Sequence, residues 1–356
     1  MARDERPLVV AALGGNALLR AGERGTLEEQ IANAAATCRH LMALVRRGCD
    51  LILTHGNGPQ VGALVLQNDL AAPHVPHLPL EAWVGASQGL LGYVLQQALL
   101  NEFRREGLRR YVVTMITQVQ VDPADPAFGK PTKPVGPFLD RARAEELARE
   151  RGWTVMEDSG RGWRRVVPSP RPIKVLQRIM IRDLARAGHV VIAVGGGGIP
   201  IAKDAAGNYV GVEAVIDKDL ATASLALEVR ADRLVILTEV PCAYTGFRTP
   251  RQKALGRVAV DEMKALLQAG QFGTGSMAPK VEAALAFTRQ SGKPSCITSA
   301  ESLEEALQGR AGTHIVVPDQ AAAREVSLFP EPPPLQPGAE PRDGTERAKR
   351  RKVSER

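Results

Sequence analysis

A chain of 356 residues with 44% apolar side chains has enough to bury for one large α/β unit or two lobes, which excludes wholesale disorder. Its 46 Lys and Arg against 39 Asp and Glu give a net charge of +7, which suits anionic partners, but only 4% of residues are aromatic. Base-stacking recognition of nucleic acid is therefore a poor fit, and phosphorylated small molecules are a better one.

LVVAAL (8–13) reads as a buried strand that runs into the corner GGNAL. It is too short for a signal-peptide core and ends in Gly-Gly-Asn instead of a cleavage site. No other apolar run approaches a membrane span, so the chain reads as soluble and cytoplasmic. Thr26 and Glu29 form a T-x-x-E capping box that opens a helix to about Arg47, and Gly48 ends it. DLILT (50–54) is the next strand and turns through HGNGPQ. Further strands read at YVVTMIT (111–117), HVVIAV (189–194), RLVILT (233–238) and PSCIT (294–298), with helices between them. This alternation predicts a mostly parallel sheet covered on both faces.

Two stretches break the rhythm. From about 118 to 172 the chain is rich in Pro, Gly and charge and carries Trp153 and Trp163, which predicts a small inserted subdomain with hairpins. From about 329 onward it has almost nothing to bury, which predicts a disordered tail; its KRRK run reads as a solvated basic end. The four cysteines, Cys38, Cys49, Cys242 and Cys296, have neither CxxC nor metal-ligand spacing and read as reduced, packed thiols.

Glycine corners follow three of the strands: Gly14-Gly15-Asn16, Gly56-Asn57-Gly58 and Gly195 to Gly198. In a parallel sheet such corners share one edge, and their bare backbone amides can close around phosphate or carboxylate oxygens. Neither GxxxxGK[ST] nor GxGxxG occurs, so a different anion cradle is implied. Lys133 in PTKPVG, Lys218 in VIDKD and Lys280 in GSMAPK are compact point charges suited to a phosphoryl group in flight. Singly, each lysine reads equally well as a solvated neighbour, and Asp219 as the N-cap of the helix LATASLALEV. Together they favour phosphoryl transfer, which needs positioning and neutralisation more than covalent catalysis. His55 beside its corner reads as structural or as a hydrogen-bond donor. No local Ser-His-Asp arrangement, HExxH or paired metal-ligand spacing appears.

ALGGNAL, THGNGPQVG, PTKPVGPF, RVVPSPRP, AVGGGGIP, GVEAVIDKDLA, LILTEV, GQFGTGSMAPKVEAA and AGTHIV closely resemble carbamate kinase, within the amino-acid kinase superfamily, over about residues 8 to 318. The resemblance implies a three-layer αβα sandwich around an open, mostly parallel eight-stranded sheet with a small inserted lid. The amino-acid kinase domain would span 1–328, with an N-lobe (about 1–117) for the carbamoyl and phosphate groups, the lid (about 118–172), and a C-lobe (about 173–328) for the nucleotide. The tail, 329–356, lies outside the resemblance.

The implied reaction is reversible phosphoryl transfer between ATP and carbamate, run toward ATP in arginine catabolism, by a homodimer. By motif, Gly14, Gly15, Asn16, Gly56, Asn57 and Gly58 would hold the carbamoyl and transferring phosphate groups, with Gly195, Gly196 and Gly197 in the same cradle. Lys133 would reach in from the lid, Lys218 and Lys280 would neutralise the phosphoryl group, and Asp219 would hold their ammonium groups. Thr238, Tyr244, Gly275, Ser276 and Met277 would border the nucleotide. Mg²⁺ would arrive with ATP or ADP, without a protein-bound metal site. Ala278, where family members carry a larger apolar residue, and the stretch 241–256 depart from the pattern. The alternatives are a kinase of the same fold acting on another small carboxylate, or a non-catalytic nucleotide-binding regulatory protein. Nucleic acid would be a partner only through the basic tail.

Overall fold

The computed structural model describes residues 6–317 except 21, 72–73, 158–161 and 274, and omits the side chains of Asn16 and Pro137; the tail from 329 lies outside the described residues. Eight strands build the central sheet: β1 (Leu8–Leu13), β2 (Asp50–His55), β3 (Val112–Thr114), β4 (Val190–Ile192), β5 (Arg233–Thr238), β6 (Arg257–Ala259), β7 (Ser295–Ser299) and β8 (Thr313–Val316). Their spatial order is β6-β8-β7-β5-β1-β2-β4-β3. Neighbours are parallel except β7 and β8, which pair antiparallel with Cys296 opposite His314.

Nine helices are described: α1 (Leu27–Arg46), α2 (Gly58–Ala71), α3 (Leu80–Arg105), α4 (Arg141–Arg151), α5 (Arg178–Arg186), α6 (Lys218–Glu228), α7 (Val260–Gln268), α8 (Met277–Ser291) and α9 (Leu303–Leu307). They make β1 an unbroken apolar run. Leu8, Val10 and Ala12 point into a core with α5, α6, α7 and α8, while Val9, Ala11 and Leu13 point into a second core with α1, α3 and α9. A strand covered on both faces has no solvent side to mark with polar residues. Each fully buried Val or Leu of this kind contributes roughly 1.5–3 kcal/mol. At α1 the Thr26 hydroxyl accepts from the Glu29 amide while the Glu29 carboxylate accepts from the Thr26 amide, so the capping box closes as its spacing predicts.

Three departures from the strand reading have local causes. YVVTMIT supplies only Val112–Thr114 to the sheet, because the chain leaves to pair Gln118 with Ile199 in a separate four-stranded sheet. HVVIAV stops at Ile192, because Val194 takes a left-handed conformation (φ 52°) entering the glycine corner. β6 and β8 are only three and four residues long, too short to show a period.

Between 118 and 172 lies a three-stranded antiparallel sheet, Lys133–Leu139, Trp163–Val167 and Val155–Glu157, with α4 beside it. The ends of this segment, Gln118–Val121 and Pro172–Val175, belong instead to the four-stranded sheet with Ile199–Lys203 and Tyr209–Gly211. An apolar cluster of Val61, Val65, Leu80 and Val84 with Val135, Val167 and Val215 seats the three-stranded sheet against α2 and α3. The strand Lys133–Leu139 approaches α2 so closely that a Cβ on Gly62 would stand 3.2 Å from the Gly136 Cα.

Candidate active site

The corners after β1 and β2 meet above the C-terminal ends of the parallel strands. A Cβ placed on Gly56 would lie 3.3 Å from Lys218 Cδ and 3.6 Å from the Gly15 amide nitrogen, so the two corners and the Lys218 stem converge. At Gly15 and Gly58 the same test meets nothing within 4 Å. Their backbone therefore faces open space, as an anion-binding corner needs. Gly58 begins α2, whose first amides have no intrahelical acceptor and carry the positive end of the helix dipole. Asn57 contributes differently: its side chain is buried and donates to Ser87 Oγ at 2.8 Å, which fixes the corner.

Over this opening stand three lysines and two carboxylates. Asp219 accepts from Lys218 Nζ through Oδ1 at 2.5 Å and from Lys280 Nζ through Oδ2 at 3.2 Å. Lys280, in the first turn of α8, also donates to the Ser276 carbonyl at 3.3 Å. Lys133, from the inserted sheet, donates to Asp217 Oδ2 at 2.8 Å. Three ammonium groups against two carboxylates leave one positive charge in excess. Burial depresses the pKa of Lys218; Asp219 opposes that and Lys280 adds to it. For Asp217 burial pushes the pKa up, but Lys133 and the Leu220 amide outweigh it and hold the carboxyl below its usual range.

The sequence left the N-cap of α6 open, with Asp219 the candidate. The cap is Asp217, whose side chain accepts from the amides of Asp219 and Leu220. Asp219 is the second residue of the helix, and this frees both of its oxygens for the lysines. The sequence reading missed Asp217, although its place just before a helix-forming run is a cap signal.

The third corner is built for contact. A Cβ on Gly195 would lie 2.5 Å from His55 Nε2, on Gly196 2.1 Å from Asn57 Nδ2, and on Gly197 2.3 Å from the Ile216 carbonyl oxygen. All three are buried; Gly195 and Gly196 make room for the His55 and Asn57 side chains of the second corner, and Gly197 for the backbone at Ile216. Val194, left-handed and β-branched, is held by a hydrogen bond from its amide to Thr117 Oγ1 at 3.1 Å. Such a conformation stores roughly 1–3 kcal/mol of strain. His55 is fully buried with Nδ1 2.9 Å from the Gly56 carbonyl oxygen. Burial lowers its pKa to about 4, so the ring is neutral and donates from Nδ1.

Beside the first corner, a Cβ on Gly14 would touch the Leu237 carbonyl oxygen at 3.1 Å and lie 3.9 Å from Thr238 Cα, so the end of β5 abuts it. Tyr244 lies in a short hairpin with Lys253–Ala254 and stacks at a tilt on Phe247, with ring centroids 5.8 Å apart. Gly275 and Ser276 form the turn into α8, and Met277 and Ala278 pack on the core beneath it. The four cysteines are buried and unpaired. Among the described residues no group of three or more His, Cys, Asp or Glu is placed to hold a metal.

The profile of the amino acid kinase family matches residues 7–299. The chain is 48% identical over 311 residues to a carbamate kinase of Thermococcus kodakarensis, covering 86% of this chain and 98% of that protein. It is 45% identical over 310 residues to a carbamate kinase of Trichomonas vaginalis, covering 86% and 99%. A solved carbamate kinase from Giardia lamblia bound to AMP-PNP superposes with a TM-score of 0.83 at 43% identity, over 88% of this chain and 99% of that one.

Proposed function

Since the chain belongs to the carbamate kinases of the amino acid kinase family, we propose that it transfers a phosphoryl group reversibly between ATP and carbamate, with ADP and carbamoyl phosphate as the other pair. The observation that carries this reading is Asp219 gripping Lys218 and Lys280 beside the open corners at Gly15 and Gly58. A carbamate oxygen attacks the γ-phosphorus as the bond to the β-phosphate oxygen breaks. Carbamate is already an oxyanion, so no base is needed. The work is to hold the reactants in line and to neutralise the equatorial oxygens, and Lys218, Lys280 and Lys133 do that. Gly14, Gly15 and Gly58 supply amides to the carbamoyl and phosphoryl oxygens, Gly56 holds the corner by donating its own amide to the Leu13 carbonyl at 3.2 Å, and Thr238, Tyr244 and the turn Gly275-Ser276-Met277 border the nucleotide.

The nucleotide enters as its Mg²⁺ complex; both site carboxylates are already engaged by lysines, which supports a metal carried on the phosphates. Carbamoyl phosphate is a mixed anhydride of higher transfer potential than ATP, which favours ATP synthesis, as arginine catabolism requires. The three-stranded sheet bearing Lys133 acts as a lid over the small substrate. The enzyme works as a cytoplasmic homodimer. Exposed Leu90, Tyr93, Leu100, Tyr111 and Ile116 flank the open sheet edge at β3 and support pairing there; sedimentation of wild type against Tyr93→Asp tests it. No helix among the described residues is long and apolar enough to cross a membrane.

A panel of acyl phosphates offered with ADP and Mg²⁺ tests the substrate. Carbamoyl phosphate is expected to exceed acetyl phosphate by at least about a hundredfold in kcat/KM. Equal or better use of acetyl phosphate assigns the chain to another acid.

A further inference from the structure

Asp217 makes two kinds of contact with its two oxygens. Oδ1 accepts from the amides of Asp219 at 2.9 Å and Leu220 at 3.3 Å, which is all that capping α6 requires. Oδ2 accepts from Lys133 Nζ at 2.8 Å. A cap served equally well by Ser or Asn does not explain a carboxylate whose second oxygen is committed to a lysine of the inserted sheet.

The run leading into Asp217 lies outside regular secondary structure, and its alternate residues meet that sheet and the residue that follows it. Glu213 pairs with Arg165. The Val215 amide donates to the Pro168 carbonyl at 3.0 Å, and the Val215 side chain joins Val135 and Val167 in the apolar cluster. Asp217 then takes Lys133, which sits opposite Val167 in the antiparallel register. Residues 213, 215 and 217 thus form one side of a seam that closes on the lid strands.

We propose that Asp217 is a positioning residue that holds the Lys133 ammonium over the phosphoryl site, with the 213–217 run as the docking seam of the lid. The assignment rests on the phosphoryl-transfer reading above. Lysine carries a long, entropically costly side chain. A fixed acceptor at the tip of α6 sets its place before the substrate dianion arrives, and couples lid closure to the helix that bears Lys218 and Asp219.

Asp217→Asn and Asp217→Ser keep a capping oxygen and remove the charge. In the full-length enzyme assayed for ATP formation from ADP and carbamoyl phosphate, both variants are expected to lose at least about tenfold in kcat/KM for carbamoyl phosphate with the KM for ADP unchanged. On a Lys133→Ala background the same changes are expected to cost less than about twofold, because the partner is already gone. Hydrogen exchange in the Lys133–Leu139 strand is expected to quicken in Asp217→Asn and in Lys133→Ala alike. Equal losses on both backgrounds, with lid exchange unchanged, would reduce Asp217 to a helix cap and overturn the proposal. If wild type fails to turn over carbamoyl phosphate, the reaction assignment falls, and the exchange comparison still decides the Asp217–Lys133 contact by itself.

Discussion

At Gly15 and Gly58 a methyl group would meet nothing within 4 Å, whereas at Gly196 it would stand 2.1 Å from the Asn57 amide nitrogen. The corners are indistinguishable as glycine clusters after strands, and the sequence assigns all three to one anion cradle. The structure separates them. The first two keep glycine with the backbone open at Gly15 and Gly58, next to Gly14 and Gly56, which abut Leu237 and Lys218. The third keeps it so that His55 and Asn57, which shape the second corner, can approach the backbone. A glycine cluster at a strand end therefore marks close approach, and only the neighbours tell whether the approaching group is ligand or protein.

The largest effect expected from breaking this contrast is at the packed corner. Gly196→Ala forces a Cβ into Asn57 at a residue with φ 65°, and urea unfolding should show a loss of about 4 kcal/mol. His55→Asn follows. The buried ring titrates near 4 instead of its ordinary 6.5. The unfolded chain thus binds the proton first, and wild type loses stability as the pH falls from 6.5 toward 4, by on the order of 3 kcal/mol. Asn places a donor where Nδ1 stood and cannot titrate. Its stability deficit relative to wild type should narrow over that window in thermal melts. At the open corner the effect is smallest and moves to function: Gly15→Ala should leave stability within about 0.5 kcal/mol of wild type while kcat/KM for carbamoyl phosphate falls about tenfold. Equal stability losses at Gly15 and Gly196 would erase the distinction.

Much of the scaffold was legible because its signals are local. The apolar runs at 8–13 and 233–238 match β1 and β5 residue for residue, and the Thr26 capping box sets the start of α1. The signals that failed are not local. β6 and β8 are strands by virtue of their neighbours, since three or four residues carry no period of their own. VIDKD offers two aspartates around one lysine; the place of Asp217 before the helix-forming run is a local cap signal, but chain order cannot say that Asp219 grips both Lys218 and the distant Lys280. The need for Gly195 and Gly196 is set by side chains at 55 and 57, far away in sequence.

The most direct measurement is ATP formation from ADP, Mg²⁺ and carbamoyl phosphate by wild type and by Lys280→Ala. The account predicts rapid turnover by wild type and a loss of at least about a hundredfold in the variant, because Lys280 and Lys218 share Asp219 beside the open corners. Silence in a wild type that still binds nucleotide, or a Lys280→Ala variant that turns over as fast as wild type, would contradict it.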